Sequence, residues 1–542
     1  MITVGEALVS CLEALHVDAA FGVVSIHNMP LLDAIHRRAK MRFVPARGEA
    51  GAVSMADAYA RVSGKLGVVI TSTGTAAANA AGGMVEARTA GTPLLHLTGQ
   101  VDSPYLDRDL GFLHEARDQL GMLKTVSKTA FRVSAADETY DVLDFALKAA
   151  LTPPAGPVSI EIPIDIQQAQ APLQQYHPSA PTLPPSQSVD TLADRLRKAR
   201  RPLLWLGGGA RHAGEPVRKL IDLGFGVVTS VQGRGIVPED HPRCLGAFAL
   251  ACEELFATCD ALLVVGSRLR SNETLGYRLK LPRPLYRIDA EEMRAEHPYK
   301  ADVFLAGDAR VALDALAQRL SGIKVDAAFG GDLEAARASA EARARGALGP
   351  YAALVGELQR LAGREFAWVR DVTISNSTWG NRLLRIFGAR DGVHAVGGGI
   401  GLGLPMAIGA SLGAPARRTV CLVGDGGLQL SLGELATLVQ EKTDVVMILM
   451  NDRGYGVIRN IWDAQYGGRR AYADLHAPDF ALLARSIGLT HHCVRDATQF
   501  SPVLELAFGQ RGPVLVEVDM LSVGPYPVAF AGPPVRESEA SQ

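Results

Sequence analysis

Apolar positions along this chain follow two alternating patterns. Short continuous runs, such as residues 66–71, 261–265, 419–423 and 445–450, are bounded by Gly, Pro, Asn or Asp. Between them lie longer stretches, such as 5–15 and 48–62, whose apolar residues recur every three to four positions. The short runs read as strands buried on both faces, and the longer stretches as helices that cover them. Further strands are predicted at 19–23, 42–45, 93–98, 158–162, 203–206, 226–229, 285–288, 368–373, 393–396, 491–494 and 514–518. Strands alternating with helices predict the α/β class, with crossover-connected parallel sheets.

At 542 residues the chain exceeds what one core accommodates. The expected architecture is three doubly wound, mostly parallel-sheet domains at 1–170, 189–325 and 350–525. A Pro-, Gln- and Ser-rich linker at 171–188 joins the first two, and an exposed helical linker at 326–349, rich in Ala, Arg and Glu, joins the last two. A Pro-rich, polar tail follows at 526–542. A hydrophobic content of 48% supports cores of this size, and a net charge of −2 argues against a general nucleic-acid binder. The six cysteines form no C-x-x-C pair, which suits a reducing cytoplasm better than a zinc site or a disulfide framework. Glu6 and Glu13 interrupt the first apolar stretch, so it reads as a helix and not as a signal peptide. No apolar run has membrane-spanning length, and a soluble cytoplasmic protein is expected.

The densest chemistry lies near residue 425. Gly424-Asp425-Gly426 closes one apolar run, and Asn451-Asp452 closes the next. A βαβ unit brings both aspartates to the carboxyl ends of neighbouring parallel strands, where open α/β sheets bind ligands. Two carboxylates beside a glycine-rich turn suit a hard divalent cation that completes its octahedron with water and phosphate oxygens. Helix capping explains a single Asp here, but not both at this spacing.

This pattern resembles the thiamine-diphosphate motif, in which Gly-Asp-Gly precedes a terminal Asn pair by about 30 residues. Here the pair is Asn451-Asp452. The resemblance implies Mg²⁺ held by Asp425, Asp452 and the Gly454 carbonyl, with Gly424, Gly426, Gly427 and Tyr455 against the cofactor. It extends to the superfamily of acetolactate synthase, benzoylformate decarboxylase and pyruvate decarboxylase. Those enzymes need a carboxyl group at the cofactor's pyrimidine nitrogen, and Glu49 in Arg47-Gly48-Glu49-Ala50-Gly51 matches it, with Gly48 where the family commonly has His. Residues 71–79, ending in Asn79, resemble an acetolactate-synthase turn, and Leu97-Thr98-Gly99-Gln100-Val101 resembles its next strand end. The first unit is thereby identified as pyrimidine-binding and the third as diphosphate-binding.

In Gly397-Gly398-Gly399-Ile400-Gly401, the resemblance assigns the Gly398 carbonyl to the cofactor's amino group and Ile400 to the prop that bends it. The run does not fit G-x-G-x-x-G. Asn376 and Ser377, at an expected helix start, suit diphosphate oxygens. His27 falls where several family members place a proton-shuttling His, and His114 where acetolactate synthases have Gln. Residues 455–462 read as a short helix over the site and 464–474 as a mobile lid. In the central unit, FAD is an option that no motif supports.

The function these resemblances imply is cleavage or formation of a C–C bond beside the carbonyl of a 2-oxo acid, aldehyde or diketone, as decarboxylase or lyase with carboligase capacity. Alternatives are an acetolactate-synthase-like carboligase, a flavin-dependent 2-oxo acid oxidase and a non-catalytic subunit of the same fold. The family also implies a homodimer or homotetramer with sites at subunit interfaces.

Overall fold

The computed structural model describes residues 1–177, 189–527 and 530–532. The expected linker therefore lies mostly outside the described residues, as does most of the tail. Three parallel sheets carry the chain. In the N-terminal unit the strands run Ala19–Gly22, Arg42–Pro45, Gly67–Thr71, Leu94–Gln100, Thr129–Arg132 and Pro157–Pro163, arranged in space as second, first, third, fourth, sixth and fifth. The C-terminal unit repeats that order with Phe366–Arg370, Gly392–His394, Arg418–Gly424, Val445–Asn451, Thr490–Val494 and Val514–Asp519. The central sheet has five parallel strands, Pro202–Leu206, Gly226–Thr229, Ala261–Val265, Leu285–Asp289 and Val303–Ala306, in the order second, first, third, fourth, fifth. A two-stranded antiparallel ribbon, Ile2–Thr3 with Gln170–Ala171, ties the two ends of the first unit together.

The three-unit α/β architecture matches the expectation from hydrophobic patterning. Strands Thr129–Arg132 and Val303–Ala306 were not anticipated; both lie at sheet edges and keep half-buried residues, so their apolar runs are broken. The linker helix forms, as Phe329–Gly346, with one face exposed but the other buried: Phe329, Leu333 and Ala340 join a core shared by the central and C-terminal units, and Arg337 is buried beside them. Its Arg337 guanidinium donates to the carbonyls of His241 at 2.6 Å and Cys244 at 3.1 Å.

A second core joins the N- and C-terminal units. Helix Glu49–Ser63, which follows the second strand of the N-terminal sheet, packs against helix Gly403–Gly413, which follows the second strand of the C-terminal sheet. The approach is backbone to backbone. A Cβ at Gly409 would lie 2.0 Å from the Met55 carbonyl oxygen, so only glycine fits. This seam joins two like-ordered sheets through the helices that follow their second strands.

Candidate active site

Strand Arg418–Gly424 delivers Asp425 to the first turn of helix Asp425–Leu430, and strand Val445–Asn451 ends one residue before Asp452. The two strands pair in parallel, with Gly424 opposite Met450. The main-chain N–H of Asp452 donates to Asp425 Oδ1 at 3.2 Å, while the buried Oδ2 has no hydrogen-bond partner. Burial, and then the neighbouring Asp452, push the Asp425 carboxyl up to about 7. Burial raises Asp452 as well, and Arg459 partly offsets it. Arg459 Nη2 donates to the Asp452 carbonyl at 2.9 Å, and Nη1 lies 3.6 Å from its carboxylate. That cation balances the extra charge of Asp where the resembling motif carries Asn. Two like charges held together in a buried place, with one oxygen unsatisfied, fit a hard dication. Gly454 presses close to Ala473 and Arg459, leaving no room for a side chain.

The glycine turn before helix Gly403–Gly413 is fixed by Asp371, which the sequence reading missed. Its carboxylate accepts from the N–H groups of Gly401 at 3.1 Å and Gly403 at 3.2 Å, and burial lifts it to about 6. Gly398 sits at φ +86 with open space where a Cβ would point, and the Ile400 side chain is 38% exposed. A Cβ at Gly427 would lie 3.5 Å from Ile400, so Ile400 stands over the turn that carries Asp425. Tyr455 lays its ring against Gly426, and helix Gly456–Gln465 follows it as expected. Asn376 and Ser377 occupy a wide π-helical turn, Asn376–Gly380, and not a regular helix start. The Asn376 amide oxygen is buried without a partner and packs toward Gly380.

In the N-terminal unit, Glu49 opens helix Glu49–Ser63 and is half-buried. Its Oε2 accepts from Asn79 Nδ2 at 3.3 Å. His27 and His114, 87 positions apart in the chain, come together with ring centroids 5.5 Å apart, edge to face. His27 is 3% exposed with Nδ1 unpartnered. Burial, and then His114, hold it below the usual imidazole range. A buried polar network lies behind this pair. Gln119 accepts from Thr73 at 2.9 Å and from the Gly74 N–H at 2.7 Å, and donates to Glu161 at 3.0 Å. Glu161 is in turn bridged by Arg132. Nothing in the local sequence pattern signals this network.

Comparison with known proteins places these features. Residues 2–122 match the family model described as "Thiamine pyrophosphate enzyme, N-terminal TPP binding domain", residues 189–316 the central domain, and residues 374–518 the C-terminal TPP binding domain of the same enzymes. The chain is 34% identical to a probable 2-ketoarginine decarboxylase of Pseudomonas aeruginosa, over 95% of this chain and 94% of that one. It is 26% identical to a probable acetolactate synthase large subunit of Methanococcus aeolicus, covering 94% and 91% of the two chains. With acetolactate synthase isozyme 2 large subunit of Escherichia coli the identity is 27%, over 95% and 94%. With three successive units matched in order by these models and a relative 34% identical over nearly its whole length, this chain belongs to the thiamine pyrophosphate enzyme family.

Proposed function

We propose that this enzyme cleaves the bond between the carbonyl and carboxylate carbons of a 2-oxo acid, releasing CO₂ and an aldehyde. The observation that carries this reading is the Asp425–Asp452 pair, with a buried unsatisfied oxygen on Asp425, beside the exposed turn Gly398–Gly399–Ile400. In this reading Asp425, Asp452 and the Gly454 carbonyl hold Mg²⁺ on the diphosphate of thiamine diphosphate. Asn376, Ser377, Gly424, Gly426, Gly427 and Tyr455 line the same end. When bound, the cofactor's thiazolium supplies a carbanion and an electron sink. Glu49, steadied by Asn79, holds the proton at the pyrimidine ring. His27 and His114 move protons at the substrate oxygen and at the product carbon. The neutral form that burial favours in His27 lets it accept one. The relative named as a probable 2-ketoarginine decarboxylase supports decarboxylation as the outcome.

The site is shared between two copies of the chain in this reading, Glu49 coming from one and the aspartates from the other, in a homodimer or homotetramer. Large apolar side chains exposed on both half-sites support it. Val24, Ile26 and Met29 lie next to His27, and Ile400, Leu430 and Ile458 lie around the aspartates. No described helix is long and apolar enough to cross a membrane. A cytoplasmic location belongs to the reading, supported by six free cysteines.

A panel of 2-oxo acids, 2-ketoarginine among them, with CO₂ and aldehyde detection, tests the proposal. CO₂ release with a stoichiometric aldehyde is expected. Ligation products alone would replace it with the acetolactate-synthase-like reading that two of the relatives suggest. One observation favours a second ligand. A cavity of about 460 Å³ opens at the carboxyl ends of the central strands, lined by Gly208, Gly209, Arg211, Arg268, Arg270 and Asp289. Backbone carbonyls of Gln232, Thr89 and Val396 each hold one of its arginines in place, and the remaining guanidinium N–H groups suit an anionic nucleotide such as FAD. Visible absorbance of the purified protein decides whether a flavin is there.

A further inference from the structure

Two buried glutamates outside the site described above reach across the seam between the N- and C-terminal units, in opposite directions. Glu86, 4% exposed, sits in helix Ala81–Ala90 of the N-terminal unit. Its carboxylate accepts from the Gly397 N–H at 2.9 and 3.0 Å and also from the Val396 N–H. Glu434, 3% exposed, sits in helix Glu434–Gln440 of the C-terminal unit. It accepts from the Arg47 N–H at 3.0 Å, is hydrogen-bonded by the Gly48 N–H, and takes the Thr437 hydroxyl at 2.6 Å.

The two arrangements are equivalent. Each glutamate lies in the segment after the third strand of its own sheet. Each caps the turn after the second strand of the other sheet: Arg42–Pro45 in one case, Gly392–His394 in the other. Helix Glu49–Ser63 begins after Gly48, which has no side chain to fix the entry of the chain. Glu434 holds that entry from the other unit, through the N–H groups of Arg47 and Gly48. Burying a carboxylate is costly unless donors converge on it, and here main-chain N–H groups do. Arg61 Nη2, 3.7 Å from Glu86, adds charge of the opposite sign.

The capped residues adjoin the side chains that face the cofactor in the reading above. Gly48 precedes Glu49, and Gly397 precedes Gly398 and Ile400 by one and three positions. We propose that Glu434 and Glu86 are positioning residues, a reciprocal pair of braces: Glu434 sets the turn that presents Glu49, and Glu86 sets the turn that presents Gly398 and Ile400. This rests on the assignment of those residues to the cofactor. Because Glu49 and Gly398 of one chain then serve different sites, a single seam trims both sites of a dimer.

The test is amide hydrogen exchange by mass spectrometry on the full-length protein without cofactor, for wild type, Glu434→Gln and Glu86→Gln. The isosteric changes keep the fold while removing one accepting oxygen and the charge. Glu434→Gln is expected to speed exchange in a peptide covering 45–50 by about tenfold, as loss of about one charge-assisted hydrogen bond does, and to leave 395–400 unchanged. Glu86→Gln is expected to do the reverse. With Mg²⁺ and thiamine diphosphate added, Glu434→Gln should slow exchange of the cofactor's C2 proton without changing its Kd. Glu86→Gln should raise the Kd by about tenfold. If either variant loosens both peptides alike, or if neither peptide moves, the braces are overturned. They are also overturned if the peptides respond selectively while proton exchange and Kd both stay at wild-type values. Glu49→Gln, run alongside, separates the two failures. Should it leave C2-proton exchange intact, the cofactor assignment itself falls.

Discussion

The N- and C-terminal units are built on one plan and end in opposite chemistry. Both sheets order their strands second, first, third, fourth, sixth, fifth. After its third strand the C-terminal unit places Gly424-Asp425-Gly426; at the same point the N-terminal unit places Ser72-Thr73-Gly74, after Thr71 closes its strand. Close to the end of the fourth strand stands Asp452 in one unit and Gln100 in the other. Where the C-terminal unit sets two carboxylates at its strand ends, the N-terminal unit offers hydroxyls and an amide, which Gln119 knits together with Thr73 and ties back to the Glu161–Arg132 pair. The same scaffold thus yields a pair of carboxylates on one side and a wall of hydroxyls and amides on the other. Glu49, the carboxylate that the proposed function draws from the N-terminal unit, stands after the second strand instead. The lesson is that topology sets where side chains converge, and a few substitutions at strand ends set what they do there.

This division predicts that damage to the two units separates by observable. The largest effect is expected from Glu49→Gln: C2-proton exchange of bound thiamine diphosphate, followed by NMR, should fall by about 10²–10⁴, the range of a lost acid–base group, with cofactor affinity held. Equal losses of rate and affinity would erase the distinction. Next, Asp425→Asn should weaken Mg²⁺-dependent cofactor binding by about 10- to 100-fold, measured by calorimetry, while the protein stays folded. A smaller effect is expected at the histidine pair. His27→Asn or His114→Asn should lower aldehyde release by about tenfold and leave cofactor binding untouched.

The smallest expected effect is a pH dependence. The folded protein holds the Asp425 carboxyl at about 7, above its ordinary value. The folded state therefore keeps a proton that the unfolded chain has already released. Without metal, this group's contribution to stability falls as pH rises toward and through about 7. Mg²⁺ requires the deprotonated form, so its binding strengthens over the same interval. The gain in Tm on adding Mg²⁺ and cofactor should grow by a few degrees, roughly 1 kcal/mol of extra stabilisation, between slightly acid and slightly alkaline buffer. In Asp425→Asn the gain should stay flat. A flat wild-type profile would show that the pair is not coupled to metal binding.

Much of the fold was legible in the chain because its buried strands are unbroken apolar runs. Strands Gly226–Thr229 and Ala261–Val265 fall where the pattern puts them. The edge strand Thr129–Arg132 does not announce itself, since Thr129, Phe131 and Arg132 are only half-buried. At the candidate site, Asp425 and Asp452 could be read from spacing along two adjacent strands. His27 and His114 were singled out only through resemblance to related turns, and their contact is visible only in the fold. Asp371, Glu86 and Glu434 were illegible because their partners lie far along the chain: 30 positions on for Gly401, more than 300 for Val396 and Arg47. Hydrophobic periodicity carries no signal at such separations. Arg459 stands seven residues after Asp452, and charge balance around an unexpected Asp is the cue that points to it.

The contact of Gly409 with the Met55 carbonyl has a consequence for how this enzyme changes over evolutionary time. A joint made of main chain on main chain has no rotamers to readjust, so it behaves like a keyed shaft and fixes the angle between the two helices that meet there. New substrate ranges must therefore arise in the loops that overhang the strand ends, such as 101–118 and 464–474, while the joint stays frozen beneath them.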